Sequence, residues 1–225
     1  MSLMASRPQL IAFDLDGTLI DSVPDLATAV NRALTDLDAP TSTEDDIRRW
    51  IGNGAQVLVQ RAWCQDDHGE QLSDLQDPNI SALYERFLYH YGACKGDATR
   101  CYPGVKTALQ QLHEHSIPMA IITNKPERFV GPILKSLQLD DYFGLILGGD
   151  TLAERKPHPL PLLHAAQHFD VNPTHCWMVG DSRNDILAAK AAGFFSIGVP
   201  YGYNHGEPIE AARPDLVVDS LISLV

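Results

Sequence analysis

The spacing of apolar residues changes character along the chain, and each change predicts a different kind of element. Gln9–Phe13 is short and largely apolar, which predicts a buried strand ending at Asp14. From Pro24 to about Tyr91 the period becomes helical. Leu26, Val30, Leu34 and Leu37 share one face, and Ile80, Leu83, Phe87, Leu88 and Tyr91 form a second stripe. "TSTEDDIRRW" opens with hydroxyls and acids, as a helix start does, and "NGAQVLVQRAW" reads as a helix entered through a glycine turn.

Beyond Tyr102 short apolar runs alternate with amphipathic stretches. "MAIIT", "LILGG", "CWMVG", "FSIGV" and "DLVVDS" predict strands. "VKTALQQLHEH", "ERFVGPILKSL", "LPLLHAAQHF" and "DILAAKAAG" predict the helices between them, with Pro132 a kink or boundary in the second and Gly193 closing the last. The strands are apolar throughout rather than on alternate positions, so they belong to a parallel sheet covered on both faces. The predicted class is α/β. Residues 1–20 and 96–225 form the sheet domain, and residues 21–95 are a small all-helical insert.

The chain has 225 residues, enough for one domain carrying such an insert. Its formal net charge of −12 makes it a poor counterion for a phosphate backbone, so nucleic acid is not an expected partner. No run approaches membrane-spanning length, no secretory leader is recognisable, and the residues "MSL" before Met4 read as an expression remnant. Cys64, Cys94, Cys101 and Cys176 show no zinc-ligand spacing and are expected as free thiols of a cytoplasmic protein.

Polar residues collect where the predicted strands end. Asp14 and Asp16 follow the first strand, Thr123 and Asn124 the second, and Asp181 the strand "CWMVG", with Lys156 and Asp185 a few residues past strand ends. In open parallel sheets that edge is where ligands bind. Two neighbouring carboxylates need positive charge beside them, or one must keep its proton. A hard divalent cation such as Mg²⁺, bound by Asp14 and Asp181, supplies it and attracts a phosphate, with Lys156, Thr123 and nearby backbone N–H groups completing the anion site. The two acids then divide the work: Asp14 attacks phosphorus, and Asp16 protonates the leaving oxygen and later deprotonates water.

"DLDGT", "ITNK", "KPHP" and "VGDSRND" stand in this order and together resemble the four motifs of the haloacid dehalogenase superfamily. The resemblance implies a Rossmann-like core with strand order 3-2-1-4-5 and a cap inserted after the first strand. It implies Asp14 as nucleophile, Asp16 as acid and base, and Thr123, Asn124 and Lys156 as phosphate contacts. Asp14, the Asp16 carbonyl and Asp181 would hold Mg²⁺, with Asp185 behind them. "WIGNGA" and "YGYNHGEPI" further resemble the bacterial phosphoglycolate phosphatases of that superfamily. The implied substrate is therefore a small phosphorylated organic acid, and the implied reaction is hydrolysis of 2-phosphoglycolate. Gly52, Asn53, Gly54 and Arg61 are the cap residues expected near it.

Other chemistries within the superfamily fit less well. A dehalogenase lacks an acid at the position of Asp16, and a phosphonate-cleaving relative needs a cap lysine, whereas residues 22–94 contain none. A phosphatase for sugar phosphates or pyrophosphate and a β-phosphoglucomutase-like transferase remain alternatives. A phospho-accepting signalling domain would need neither the insert nor Asp16.

Overall fold

The computed structural model describes residues 7–67, 77–94 and 96–225; Met1–Met4, read above as carrying a remnant, lie outside them. The elements run β1 (Leu10–Phe13), β2 (Ile20–Asp21), α1 (Val23–Thr35), α2 (Glu44–Trp50), α3 (Ala55–Cys64), α4 (Pro78–Cys94), β3 (Arg100–Cys101) and α5 (Val105–Glu114). They continue with β4 (Met119–Ile122), α6 (Glu127–Ser136), β5 (Leu145–Leu147), α7 (Leu160–His168), β6 (Cys176–Gly180), α8 (Arg183–Ala192), β7 (Phe195–Gly198) and β8 (Leu216–Val217).

Six strands form one sheet in the order β5-β4-β1-β6-β7-β8, and every pairing in it is parallel. Counted in chain order within the sheet this is 3-2-1-4-5-6. The implied order holds, and β8 extends it at the edge. The order reverses at β1, so β1 lies between β4 and β6 and its carboxyl end opens into the crevice at the switch point.

Alternate strand residues divide the core. Leu10, Ala12, Ala120, Ile122, Cys176 and Met178 pack with α7 and α8. Ile11, Phe13, Met119, Ile121, Trp177 and Val179 face the other side. On the first face Ala165, Ala166, Ala188 and Ala189 meet Ala12 and Ala120, and these small side chains let helices sit close to the sheet. On the second face the buried cluster runs on without a break into α1, α3 and α4 through Leu15, Leu19, Ile20, Val23, Leu58, Leu83 and Phe87.

The helical stretch is built as its pattern requires. Leu26, Val30 and Leu34 are buried on α1, and Ile80, Leu83, Phe87 and Tyr91 on α4. Leu37 lies beyond the end of α1 and is only partly buried. Thr43 caps α2: its hydroxyl accepts from the Asp46 N–H while the Asp46 carboxylate accepts from the Thr43 N–H. Pro132 stands inside α6, costing it one main-chain hydrogen bond without ending the helix. Gly193 closes α8 at φ 78°, a left-handed conformation that costs glycine little. The two-residue antiparallel pair β2–β3 is too short to show in the sequence pattern.

Candidate active site

β1 delivers Asp14 to the switch-point crevice, and the chain then turns back at once. The turn is held by Thr18, Leu19 and Ile20 N–H groups donating to the Leu15 carbonyl. Gly17 makes the turn possible. Its φ is 92°, and a β-carbon there would lie 2.3 Å from Asp181 Oδ2. Gly202 is under the same constraint, since its β-carbon would lie 2.2 Å from Asp181 Cβ. Two backbone segments thus press directly against one carboxylate.

That carboxylate follows β6. Asp181 is 2% exposed and accepts from the Thr18 hydroxyl at 2.8 Å and the Tyr203 N–H at 2.8 Å. Neither partner is charged. Burial, followed by the nearby Asp185 charge, pushes Asp181 from its ordinary 3.8 to about 7.

Lys156 organises the neighbouring acids. Its ammonium donates to Asp14 Oδ1 at 2.7 Å, to Asp185 Oδ1 at 2.6 Å and to the Ile122 carbonyl at 2.5 Å, so all three of its donors are used. Burial opposes the ammonium, but Asp14 and Asp185 outweigh it and hold Lys156 above the usual lysine range. Burial raises Asp14 strongly; Lys156 works against this, while Asp185 and Asp181 add to it. Asp185 is fully buried. Its Oδ2 accepts from the Ser182 N–H and hydroxyl at the start of α8. One residue type therefore caps a helix and braces the site.

Asp16 takes a different set of partners. Lys125 Nζ donates to its two oxygens at 3.0 and 3.1 Å, and the Ser22 hydroxyl donates at 2.5 Å. The Lys125 ammonium also lies 4.6 Å from the Tyr91 ring centroid on α4. Asp14 and Asp16 are two residues apart, yet each has its own lysine.

Asp14, Asp181 and Asp185 each offer an oxygen within 4.8 Å of the others, which is the one such acidic, thiol or imidazole cluster among the described residues. Three buried carboxylates meet a single ammonium, so negative charge remains uncompensated. The donor set is all oxygen, the charge excess is large, and glycines hold the walls close to Asp181. The residues fit a hard divalent cation.

Asp14, Asp16, Thr123, Asn124, Lys156, Asp181 and Asp185, drawn from distant parts of the chain, line one cavity. Gly52, Gly54, Leu58, Phe87, Tyr91 and Phe129 close its far wall. Gly52 is tied to the sheet side, for its carbonyl accepts from Asn124 Nδ2 at 3.0 Å and Asn184 Nδ2 at 3.2 Å. Asn53 and Arg61 are not among the lining residues. Arg61 is 5% exposed and donates Nη1 to the Trp50 carbonyl at 2.9 Å and to Asn53 Oδ1 at 3.2 Å, which braces the Gly52–Gly54 loop from behind. Sequence reasoning missed Thr18, Ser22, Lys125, Ser182 and Tyr203 as site residues. Thr18, Lys125, Ser182 and Tyr203 lie inside the quoted motifs, which is the signal that could have found them; Ser22 lies in none.

The comparisons agree with this geometry. A family model described as haloacid dehalogenase-like hydrolase matches residues 8–193. A phosphoglycolate phosphatase of Pseudomonas putida is 48% identical over 218 residues, 97% of this chain and 79% of that protein. One from Mannheimia succiniciproducens is 43% identical over 224 residues, 99% of each. The crystal structure of a "predicted phosphoglycolate phosphatase" from Haemophilus somnus superimposes with a TM-score of 0.90 at 39% identity, covering 98% of this chain and 97% of that one. By motif order, strand order and overall similarity, the chain belongs to the haloacid dehalogenase-like hydrolase family.

Proposed function

We propose that the protein hydrolyses 2-phosphoglycolate to glycolate and phosphate, with Mg²⁺ bound by Asp14, the Asp16 carbonyl and Asp181. The observation that carries this reading is the meeting of Asp14, Asp16 and Lys156 in one cavity with a buried acidic triad. The substrate assignment is supported by the names of the relatives at 43–48% identity.

The steps follow from the residues. An Asp14 carboxylate oxygen attacks phosphorus, the bond from phosphorus to the glycolate oxygen breaks, and Asp16 gives its proton to that oxygen. The product is an aspartyl-phosphate on Asp14. Water then attacks the same phosphorus, Asp16 accepts its proton, and phosphate leaves as Asp14 is restored. Thr123 and the Asn124 backbone N–H hold the phosphoryl oxygens, and Lys156 joins them by exchanging one of its three present partners for the substrate. A bound divalent ion would neutralise charge on the phosphate while Asp185 orients Lys156.

Residues 21–95 act as a cap over residues 1–20 and 96–225, with Gly52 and Gly54 beside the substrate and Asn53 and Arg61 supporting them from behind. The contact of Gly52 with Asn124 and Asn184 supports this division. All four cysteines are free, which supports the cytoplasm as the compartment. Among the described residues no helix is long and apolar enough to cross a membrane.

The test is kcat/KM on a panel of phosphate monoesters, including sugar phosphates, with Mg²⁺ or EDTA. A preference for 2-phosphoglycolate that is lost in EDTA is expected. Equal rates across the panel would reject the substrate, and full activity in EDTA would reject the metal.

A further inference from the structure

Most cations near the cavity are already committed. Lys156 serves Asp14 and Asp185, Lys125 serves Asp16, and Arg61 braces its own loop. Arg48 pairs with Asp21, and Arg49 with Asp46 and Asp67. Arg155 differs. It is half-buried, and its side chain forms no hydrogen bond or ion pair among the described residues.

Its position is specific. A β-carbon on Gly54 would lie 3.1 Å from Arg155 Nη1 and 3.5 Å from its Cζ, so the guanidinium sits beside backbone that lacks a side chain. The same point lies 3.3 Å from the Asn124 carbonyl. Gly54 and Asn124 both line the cavity. Arg155 is not itself a lining residue; it stands against Gly54, which is one, and one residue before the lysine that faces Asp14. Arg128 is the second uncommitted cation nearby, lying 4.7 Å from the ring centroid of Phe129, another lining residue.

We propose that Arg155 is a specificity-determining residue that binds a carboxylate at the non-phosphate end of the substrate. Consecutive cations then serve the two ends of one small polyanion: Lys156 the reacting phosphate, Arg155 the carboxylate that does not react. A guanidinium suits this task, since its planar fork matches a carboxylate through two parallel hydrogen bonds. The absence of a side chain at Gly54 leaves the fork room against the loop. This inference rests on the phosphoglycolate reading above and names the residue that would enforce it.

The experiment compares kcat/KM for 2-phosphoglycolate with that for ethyl phosphate, a monoester of similar size without the carboxylate. In the unaltered protein the ratio should be large. Arg155→Gln should lower the ratio by about 10- to 100-fold, chiefly through KM for 2-phosphoglycolate, the range expected when a charge-assisted contact is lost. Arg155→Lys should restore part of it. A ratio unchanged in Arg155→Gln, or equal losses on both substrates, would overturn the role of Arg155 while leaving the phosphoglycolate reading intact. A fall in Arg128→Gln with none in Arg155→Gln would overturn it too. A ratio near one in the unaltered protein would reject the substrate reading itself, and the carboxylate contact with it.

Discussion

At the scale of single residues, two neighbouring acids are given different surroundings by different lysines. Asp14 shares Lys156 with Asp185, whereas Asp16 is held by Lys125 and Ser22. Asp14→Asn removes the attacking oxygen and keeps the shape, so turnover should fall by on the order of 10³-fold or more with an unchanged circular dichroism spectrum. Residual activity near normal would exclude Asp14 as nucleophile. Lys156→Met strands buried Asp14 and Asp185 without a counter-charge, and urea titration at pH 8 should record a loss of about 3–5 kcal/mol. Gly17→Ala drives a methyl group into Asp181, where 2.3 Å separates the new carbon from Oδ2. A fall in divalent-cation affinity, read by calorimetry, is the expected result. Asp14, Asp16, Thr123, Lys156 and Asp181 were legible because each follows an apolar run or stands in a recognisable motif. The roles of Thr18, Ser22 and Tyr203 were not, even where a motif contained them, because a hydroxyl or a backbone N–H acquires its role only from whatever the fold brings opposite.

At the scale of elements, periodicity located every long helix and each strand of the large sheet. The helical stripe of α4 became a buried seam, and the β1, β4 and β6 runs became central strands with apolar residues on both faces. The elements that escaped are β2 and β3, two residues each, whose hydrogen bonds come from long-range pairing rather than from local preference. Arg61 illustrates the same limit. Its sequence position suited a substrate cation, but its guanidinium turns into the loop and binds the Trp50 carbonyl. Phe87 is 1% exposed within the α4 seam and also lines the cavity, so Phe87→Ala should cost about 3–5 kcal/mol in a denaturant melt. A loss below about 1 kcal/mol would mean that α4 packs loosely.

At the scale of the whole molecule, the site stores unfavourable charge that a cation relieves. The native Asp181 value of about 7 lies above its ordinary 3.8, so the native state binds the extra proton between these values. The metal-free protein is then most stable below about pH 4 with respect to this group and loses that contribution as pH rises through about 7. The proposed Mg²⁺ would compete with the proton, so the rise in Tm on adding Mg²⁺ should be larger at pH 8 than at pH 5.5. Scanning calorimetry with EDTA or Mg²⁺ at both values checks this, and a larger shift at the lower pH would contradict it. By itself the sequence determined the α/β class, the parallel sheet, the helical stretch and the acids at strand ends, since hydrophobic period and strand termini are local properties of the chain. Only the tertiary structure decided which lysine serves which acid, that Asp185 joins Asp14 and Asp181, that Arg61 turns into its own loop and that Arg155 packs beside Gly54. Those outcomes depend on distances between segments remote in the chain, and close packing sets such distances where sequence spacing does not.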